Sequence, residues 1–288
     1  MKTSTEINSI AGAVGMEKAV ELVAKAGFDC WDFSMFAMGS YDWSTGKRRI
    51  TGHPLETRDS ALKLAEKLRK IGLENGIFCN QSHAPFPVVS DEMKALLPVA
   101  IECTAEAGGK ICVIHPDNNK NALENAEMFR GLLPVAKKFG VIIATENMWN
   151  WNGAEDHAAP AACSDGKSFR EHVDALDDPF MAACVDVGHA EMKGLGTDAA
   201  TMIRELGPRV VALHLHDNDK WHDSHGLPFT MNIDFGPVVA ALKEIGYRGE
   251  FTLESSLAAA KAETPEEGVK VMYRATRRLA DMFESNVK

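Results

Sequence analysis

Histidines and acidic residues recur at the ends of short apolar runs along this chain. The runs are Ile77–His83, Ile111–His115, Val141–Glu146, Met181–Asp186, Val210–His214 and Phe251–Glu254. Each run is rich in apolar and β-branched residues, which is typical of a buried parallel strand. In a barrel of such strands the C-terminal ends meet on one face, so these terminal side chains would form one polar cluster. Such a cluster most often holds a divalent metal ion.

The elements that must position this cluster alternate between strands and helices. Further strands are predicted at Ser4–Ile10 and Asp29–Phe33, which makes eight strand–helix units in 288 residues. Helices are predicted at Met16–Ala26 and over residues 56–75, 91–107, 119–139, 167–176, 198–206, 235–246 and 265–285. This alternation predicts an α/β fold, a single (β/α)₈ TIM barrel that occupies residues 1–288 as one domain. An open doubly wound sheet is the structural alternative, but no GxGxxG motif follows the first strand.

Long polar segments follow several of the predicted strands. They cover residues 35–54, 147–166 and 217–233. Loops of this length in a compact fold usually carry function, and all of them should lie on the same face as the strand ends.

The composition disfavours some classes of binding partner. The net charge of −10 disfavours a general nucleic-acid or anionic-membrane surface, and no apolar stretch is long enough to span a membrane. The six cysteines show no CxxC spacing, and most of them lie in predicted strands. We therefore expect buried free thiols and a cytoplasmic location.

The last four strands carry the most specific combination of side chains. Glu146, Asp186, His214 and Glu254 stand at their ends. A single strand-end carboxylate is often only a cap or a surface charge, and a single histidine is more often hydrogen-bonded in the core. Four such groups at equivalent places would be very costly to bury unpaired. Three carboxylates and one imidazole suit one divalent metal ion, namely Mn²⁺, Mg²⁺, Co²⁺ or Zn²⁺.

Longer motifs around these residues resemble a known superfamily. They are SHAPF at 82–86, ATENMW at 144–149, CVDVGHA at 184–190, LHLHDND at 213–219, and DSH at 223–225 followed by IDFGPVVAALKEIGYRGEFTLE at 233–254. Together they resemble the xylose isomerase-like TIM-barrel superfamily, and the resemblance covers almost the whole chain. The superfamily includes sugar and sugar-phosphate isomerases, ketose 3-epimerases, inosose dehydratases and endonuclease IV-type DNA repair enzymes.

The resemblance implies a metal-dependent sugar isomerase or epimerase. In those members the residues that match Glu146, Asp186, His214 and Glu254 bind one metal, manganese among the candidates, and the two glutamates act as the acid/base pair. The chemistry fits, because a dication stabilises the enediolate that forms when a proton leaves the carbon beside a carbonyl. Two carboxylates on opposite sides of that carbon can remove and return the proton.

Further polar and aromatic side chains are expected to contact a small-molecule sugar or sugar derivative. The substrate-binding candidates are His83, His115, Trp149, His189, His216 and His225. The histidines could instead ligate metal or make structural hydrogen bonds. Trp149 could form an apolar wall against a sugar ring, or it could serve ordinary packing between loops.

Endonuclease IV-type DNA repair enzymes are the main functional alternative. Those enzymes hold a multinuclear zinc site, and this chain has a candidate for each ligand: His83, His115, Glu146, Asp186, His189, His214, Asp223, His225 and Glu254. The acidic balance and the scarcity of Lys and Arg on the active-face loops weigh against DNA, whose phosphates must be neutralised. The same motifs would also fit a sugar dehydratase or lyase, or a catalytically silent sugar-binding barrel. A homo-oligomer is possible, because barrels of this superfamily often dimerise.

Overall fold

The computed structural model describes residues 1–285 and contains a closed barrel of parallel strands. The barrel strands are β1 (Thr3–Thr5), β2 (Cys30–Ser34), β3 (Phe78–His83), β4 (Ile111–Ile114), β5 (Ile142–Glu146), β6 (Met181–Asp186), β7 (Val210–His214) and β8 (Phe251–Leu253). Strands β2 to β7 pair in chain order, and β1 pairs with β8. Parallel bridges from Glu6 to Asp32 and from Leu215 to Leu253 join the two sets. The predicted (β/α)₈ TIM barrel is confirmed.

Helices follow the strands and pack on the outside of the barrel. They are α1 (Asn8–Val14), α2 (Met16–Ala26), α3 (Arg58–Glu74), α4 (Asp91–Lys94), α5 (Leu97–Glu106), α6 (Ala122–Phe139), α7 (Gly166–Asp174), α8 (Val187–Ala190), α9 (Ala199–Leu206), α10 (Phe235–Glu244) and α11 (Pro265–Glu284). Short 3₁₀ helices lie at Phe36–Gly39, Pro54–Glu56, Gly207–Arg209 and Leu257–Ala260. Gly27 and Gly140 end α2 and α6 in the left-handed conformation that glycine adopts without strain.

The predicted first strand was wrong beyond its first residues. Residues 4–10 were expected to form one strand, but β1 ends at Thr5 and α1 begins at Asn8. The carboxylate of Glu6 accepts a hydrogen bond from the Asn8 N–H at 2.7 Å, which satisfies one of the free donors at the start of the helix. The predicted helix over 91–107 is likewise divided into α4 and α5.

The long segments after β2 and β5 contain short hairpins. Tyr41–Asp42 pairs with Lys47–Arg48, and Asn150–Asn152 pairs with His157–Ala159. The loop after β7 is organised by Asp217, whose carboxylate accepts backbone N–H bonds from Thr230, Met231 and Ile233 at 2.8–3.1 Å. The active-face loops are therefore ordered structures.

The core lies in two layers. A large apolar layer fills the space between strands and helices, and a small one of Val113, Ala144, Cys184 and Ala212 lies among the neighbouring strands β4 to β7. All six cysteines are buried and free, as predicted. Within residues 1–285, none of the helices combines the length and apolar character needed to cross a bilayer.

Candidate metal centre and active site

The ends of β5 to β8 bring the four predicted metal ligands together. One ligand atom from each of Glu146, Asp186, His214 and Glu254 lies within 4.8 Å of the others. His214 Nδ1 lies 2.8 Å from Glu146 Oε1 and 3.3 Å from Glu254 Oε2, so the imidazole stands between the two glutamates. All four residues are buried. We call this group the central cluster.

A second group joins the central cluster through Glu146. His83 and His115, at the end of β3 and just after β4, place their Nε2 atoms 3.3 and 3.1 Å from Glu146 Oε2. The two Nε2 atoms are 3.0 Å apart. This convergence on one carboxylate oxygen defines the first flanking cluster, His83, His115 and Glu146.

A third group lies on the other side, between α8 and the loop after β7. Asp223 Oδ2 lies 3.2 Å from His189 Nε2 and 3.3 Å from His225 Nε2. His216 Nε2 lies 3.1 Å from Asp186 Oδ1 and 3.5 Å from Asp223 Oδ1, so it connects this group with the central cluster. We call His189, His216, Asp223 and His225 the second flanking cluster.

Backbone carbonyls orient several of these imidazoles. The Nδ1 atoms of His83, His189 and His225 lie 2.8–2.9 Å from the carbonyl oxygens of Ala84, Asn147 and Glu254. A donated Nδ1–H leaves Nε2 as the free lone pair, and in each residue Nε2 is the atom that faces a cluster. This arrangement is typical of metal-binding histidines, whose second ring nitrogen donates to a carbonyl or carboxylate.

The turn after β6 positions Asp186 and leaves room for His216. Asn147 pairs with the Asp186 backbone through two hydrogen bonds of 2.8 and 2.9 Å. Asp186 caps α8 by accepting the His189 N–H at 2.6 Å. A Cβ at Gly188 would overlap Cε1 of His216, so only glycine fits beside this imidazole. These contacts account for Asp186, Gly188 and His189 of the DVGH motif.

The charges of the central cluster are strongly coupled. Burial alone would raise the pKa of the Glu146 carboxyl, but the charge of His214 and the close contacts with the imidazoles of His115 and His214 hold it well below its usual range. Burial and the charge of Glu146 raise the pKa of Glu254 against the opposing effect of His214. Burial also opposes charge on His214, yet the surrounding acidic groups raise the pKa of its imidazole well above the usual value. A protonated imidazole therefore balances these carboxylates when no cation is bound.

Several buried polar atoms in these clusters have no hydrogen-bond partner. They are Glu146 Oε2, Asp186 Oδ2, His214 Nε2, both ring nitrogens of His216, and Asp223 Oδ1. Leaving a buried polar atom unpaired costs about 1–3 kcal/mol, so a concentration of such atoms at one place calls for a ligand. Oxygen and imidazole nitrogen donors suit a divalent cation. The residues present therefore fit a metal ion.

A pocket of about 690 Å³ opens above the clusters. Among its lining residues are both glutamates of the central cluster, Glu146 and Glu254, and His83, His115, His189 and His225. Trp149 also lines it and presents its ring edge-on to His189 at 6.4 Å. Asp186, His214 and His216 are fully buried beneath it, so the predicted substrate contact of His216 does not fit its position.

Glu6 is a pocket residue that the sequence did not reveal. Its Oε2 accepts hydrogen bonds from Ser34 Oγ at 2.5 Å and from the Asn8 N–H, while the residue lines the pocket beside Glu254. Burial, together with the charges of Glu254 and Asp32, raises the pKa of Glu6 to about 7. Glu6 directly follows β1, which ends at Thr5. A first strand predicted to end there would have placed Glu6 among the acidic residues at the strand ends.

Comparisons with known proteins agree with this architecture. The model of the family described as "Xylose isomerase-like TIM barrel" matches residues 20–275. An uncharacterized protein of Methanocaldococcus jannaschii is 28% identical over 197 residues, which cover 60% of this chain and 63%, just under two thirds, of that protein.

Two crystal structures illustrate the similarity of fold. A D-tagatose 3-epimerase-like protein is 21% identical with a TM-score of 0.71 over 99% of this chain and 97% of its own. The IolI protein with a bound zinc atom is 17% identical with a TM-score of 0.74 over 99% and 100%. The chain belongs to the xylose isomerase-like TIM-barrel family.

Proposed function

We propose that this protein is a metal-dependent sugar isomerase or epimerase that moves a proton at the carbon beside a carbonyl. The observation that carries the proposal is the central cluster, in which two glutamates flank one histidine at the floor of an open pocket. The similar crystal structures named for a D-tagatose 3-epimerase-like protein and for zinc-bound IolI support both the sugar and the metal.

Glu146, Asp186, His214 and Glu254 would hold one divalent cation. When bound, the cation would supply positive charge that stabilises the negative charge of an enediolate. The unpaired oxygens of Glu146 and Asp186 supply donors for it.

The proton transfers are assigned to Glu146 and Glu254. Both line the pocket, and they stand on strands separated by β6 and β7, so they approach a bound substrate from different directions. For epimerisation, one carboxylate would take the proton from the substrate carbon and the other would deliver a proton to the opposite face. For isomerisation, a single carboxylate would take the proton and return it to the neighbouring carbon on the same face.

The remaining pocket residues would orient the substrate. His83, His115, His189 and His225 offer imidazole nitrogens to hydroxyl groups, and Trp149 offers an apolar surface to a C–H face. We assign His216 to orienting Asp186 and Asp223, because it touches both from beneath the pocket.

Substitution of each glutamate tests this assignment. Glu146→Gln and Glu254→Gln keep the side-chain volume and one oxygen ligand but remove the base, so they should weaken metal binding only in part. We expect the C–H step to slow by about 100- to 10,000-fold, the usual effect of a positioned acid–base group. Solvent deuterium entering the substrate is measured for each variant. Near-normal turnover in both variants at full metal occupancy would remove these residues from the mechanism.

The flanking clusters favour a second candidate, a multinuclear metal-dependent phosphodiesterase of the endonuclease IV type. Two further sets of converging donors lie on either side of the central cluster. Against this candidate, no Lys or Arg is among the described residues that line the pocket, although phosphates need such charges. Three zinc ions per chain together with incision of an abasic-site duplex would establish it. A dehydratase would instead release water from the same enediolate, and the product would identify it.

A further inference from the structure

One wall of the pocket is apolar and exposed to solvent. Phe36, Trp43, Phe86 and Val89 line it, and the rings of Phe36 and Phe86 meet edge to face at 5.1 Å. Trp43, on the hairpin after β2, is 73% exposed. Large exposed apolar side chains gathered in a concave surface usually mark a binding site. We call these four residues the apolar wall.

The apolar wall adjoins the acidic residues at the floor of the pocket. Phe86 stacks on His115 at 4.9 Å, and Phe36 meets His83 edge-on at 4.7 Å, so the wall rises directly from the first flanking cluster. The floor carries Glu6, Glu146 and Glu254 in the same pocket. A molecule held at the floor and too large for it would therefore extend along the wall.

The pocket is larger than a simple sugar. The 690 Å³ of the pocket lies in the range of about 300–1,000 Å³ that is usual for pockets that hold drug-sized ligands. A hexose, with about twelve non-hydrogen atoms, is smaller than such ligands and would leave part of this space empty. The remaining volume is bordered by the apolar wall.

We infer that the substrate is a sugar derivative with an aromatic or similarly apolar substituent, which lies against the apolar wall while the sugar lies over the acidic floor. This inference rests on the proposed function for the sugar part. The apolar part follows from the wall and the pocket volume, because a free sugar or a sugar phosphate would offer no apolar surface to Trp43.

Calorimetry with the metal-bearing protein tests the inference through paired probes. Each pair is a phenyl and a methyl β-glycoside of glucose, galactose, mannose or xylose, which have no free carbonyl and therefore report binding alone. We expect at least one phenyl glycoside to bind about tenfold more tightly than its methyl counterpart. Trp43→Ala should reduce that preference by about three- to tenfold, the range for loss of one aromatic contact. Trp221→Ala is the matched control, because Trp221 is a partly exposed tryptophan of another active-face loop, outside the pocket.

The outcomes separate this inference from the proposed function. Glu254→Gln should keep the phenyl preference and lose proton exchange, because it leaves the wall intact. Equal binding of phenyl and methyl glycosides, or no binding of any pair, overturns the inference even if simple sugars are turned over. A change in molecular mass of Trp43→Ala by light scattering, with the preference unchanged, also overturns it and assigns the wall to a subunit contact. A phenyl preference without turnover of any sugar overturns the proposed function alone.

Discussion

Replacing Glu6 by glutamine should stabilise the protein at neutral and alkaline pH and have little effect at acidic pH. Glu6 is buried, and its pKa is raised from 4.5 to about 7, mainly by burial. A carboxyl that binds its proton more tightly in the folded state stabilises the fold at low pH. That stability is complete below pH 4.5 and is lost as the pH rises through about 7, because the unfolded chain releases the proton first.

The size of this stabilisation follows from the difference between the pKa values of Glu6 in the unfolded and the folded protein. About 1.4 kcal/mol per pH unit between 4.5 and 7 gives a cost of about 3 kcal/mol at pH 8. Glutamine is neutral and keeps an oxygen that accepts from Ser34 and from the Asn8 N–H, so it should not incur this cost. We therefore expect Glu6→Gln to gain about 3 kcal/mol in unfolding free energy at pH 8, and less than about 1 kcal/mol at pH 5.

Urea denaturation at pH 5, 6, 7 and 8 measures this difference. The metal-free protein is used, so that no cation contributes charge at the pocket. Glu263→Gln, at an exposed glutamate in the loop before α11, is the matched control and should show no such trend. A stabilisation by Glu6→Gln that does not grow between pH 5 and pH 8, or a loss of stability at pH 8, would refute the reasoning.

Two further predictions concern the metal centre. Gly188→Ala should displace the His216 ring and weaken metal binding at least tenfold, because its Cβ would overlap Cε1, whereas Gly131→Ala on α6 meets nothing within 4 Å and should leave metal binding unchanged. Equal metal affinity in the two variants, by calorimetric titration, would contradict the packing argument. Metal binding to the metal-free protein at pH 7 should also release protons, because neighbouring acidic groups raise the pKa values of His189 and His214 well above 6.5 against the effect of burial. The observed binding enthalpy should then vary with the ionisation enthalpy of the buffer, and a buffer-independent enthalpy would contradict it.

Much of the fold and the central cluster could be predicted because the signals are local. Each of Glu146, Asp186, His214 and Glu254 directly ends an apolar run, and the shared face of a barrel then brings them together. The predicted helices Met16–Ala26 and 119–139 end directly before Gly27 and Gly140, whose left-handed conformation favours glycine.

Other parts of the site depend on contacts between distant residues. Asp223 and His225 are candidates through the family resemblance, but no local pattern places them in the second flanking cluster. They lie in a loop that Asp217 closes by accepting hydrogen bonds from amides more than ten residues away. Glu6 was missed because the predicted first strand, Ser4–Ile10, continued past it, whereas α1 begins at Asn8. The apolar wall combines a hairpin after β2 with the loop after β3, and only the folded chain brings Trp43 towards Phe86.

Solvent-deuterium incorporation by the wild-type protein tests the central claim most directly. A panel of aldoses, ketoses and their aryl derivatives is incubated in heavy water with the metal-loaded protein and with the same sample after chelation. The account predicts deuterium at the carbon beside the carbonyl of at least one compound, and its loss on chelation. Absence of exchange from the whole panel at full metal occupancy, with metal-dependent incision of an abasic-site duplex by the same sample, would contradict it.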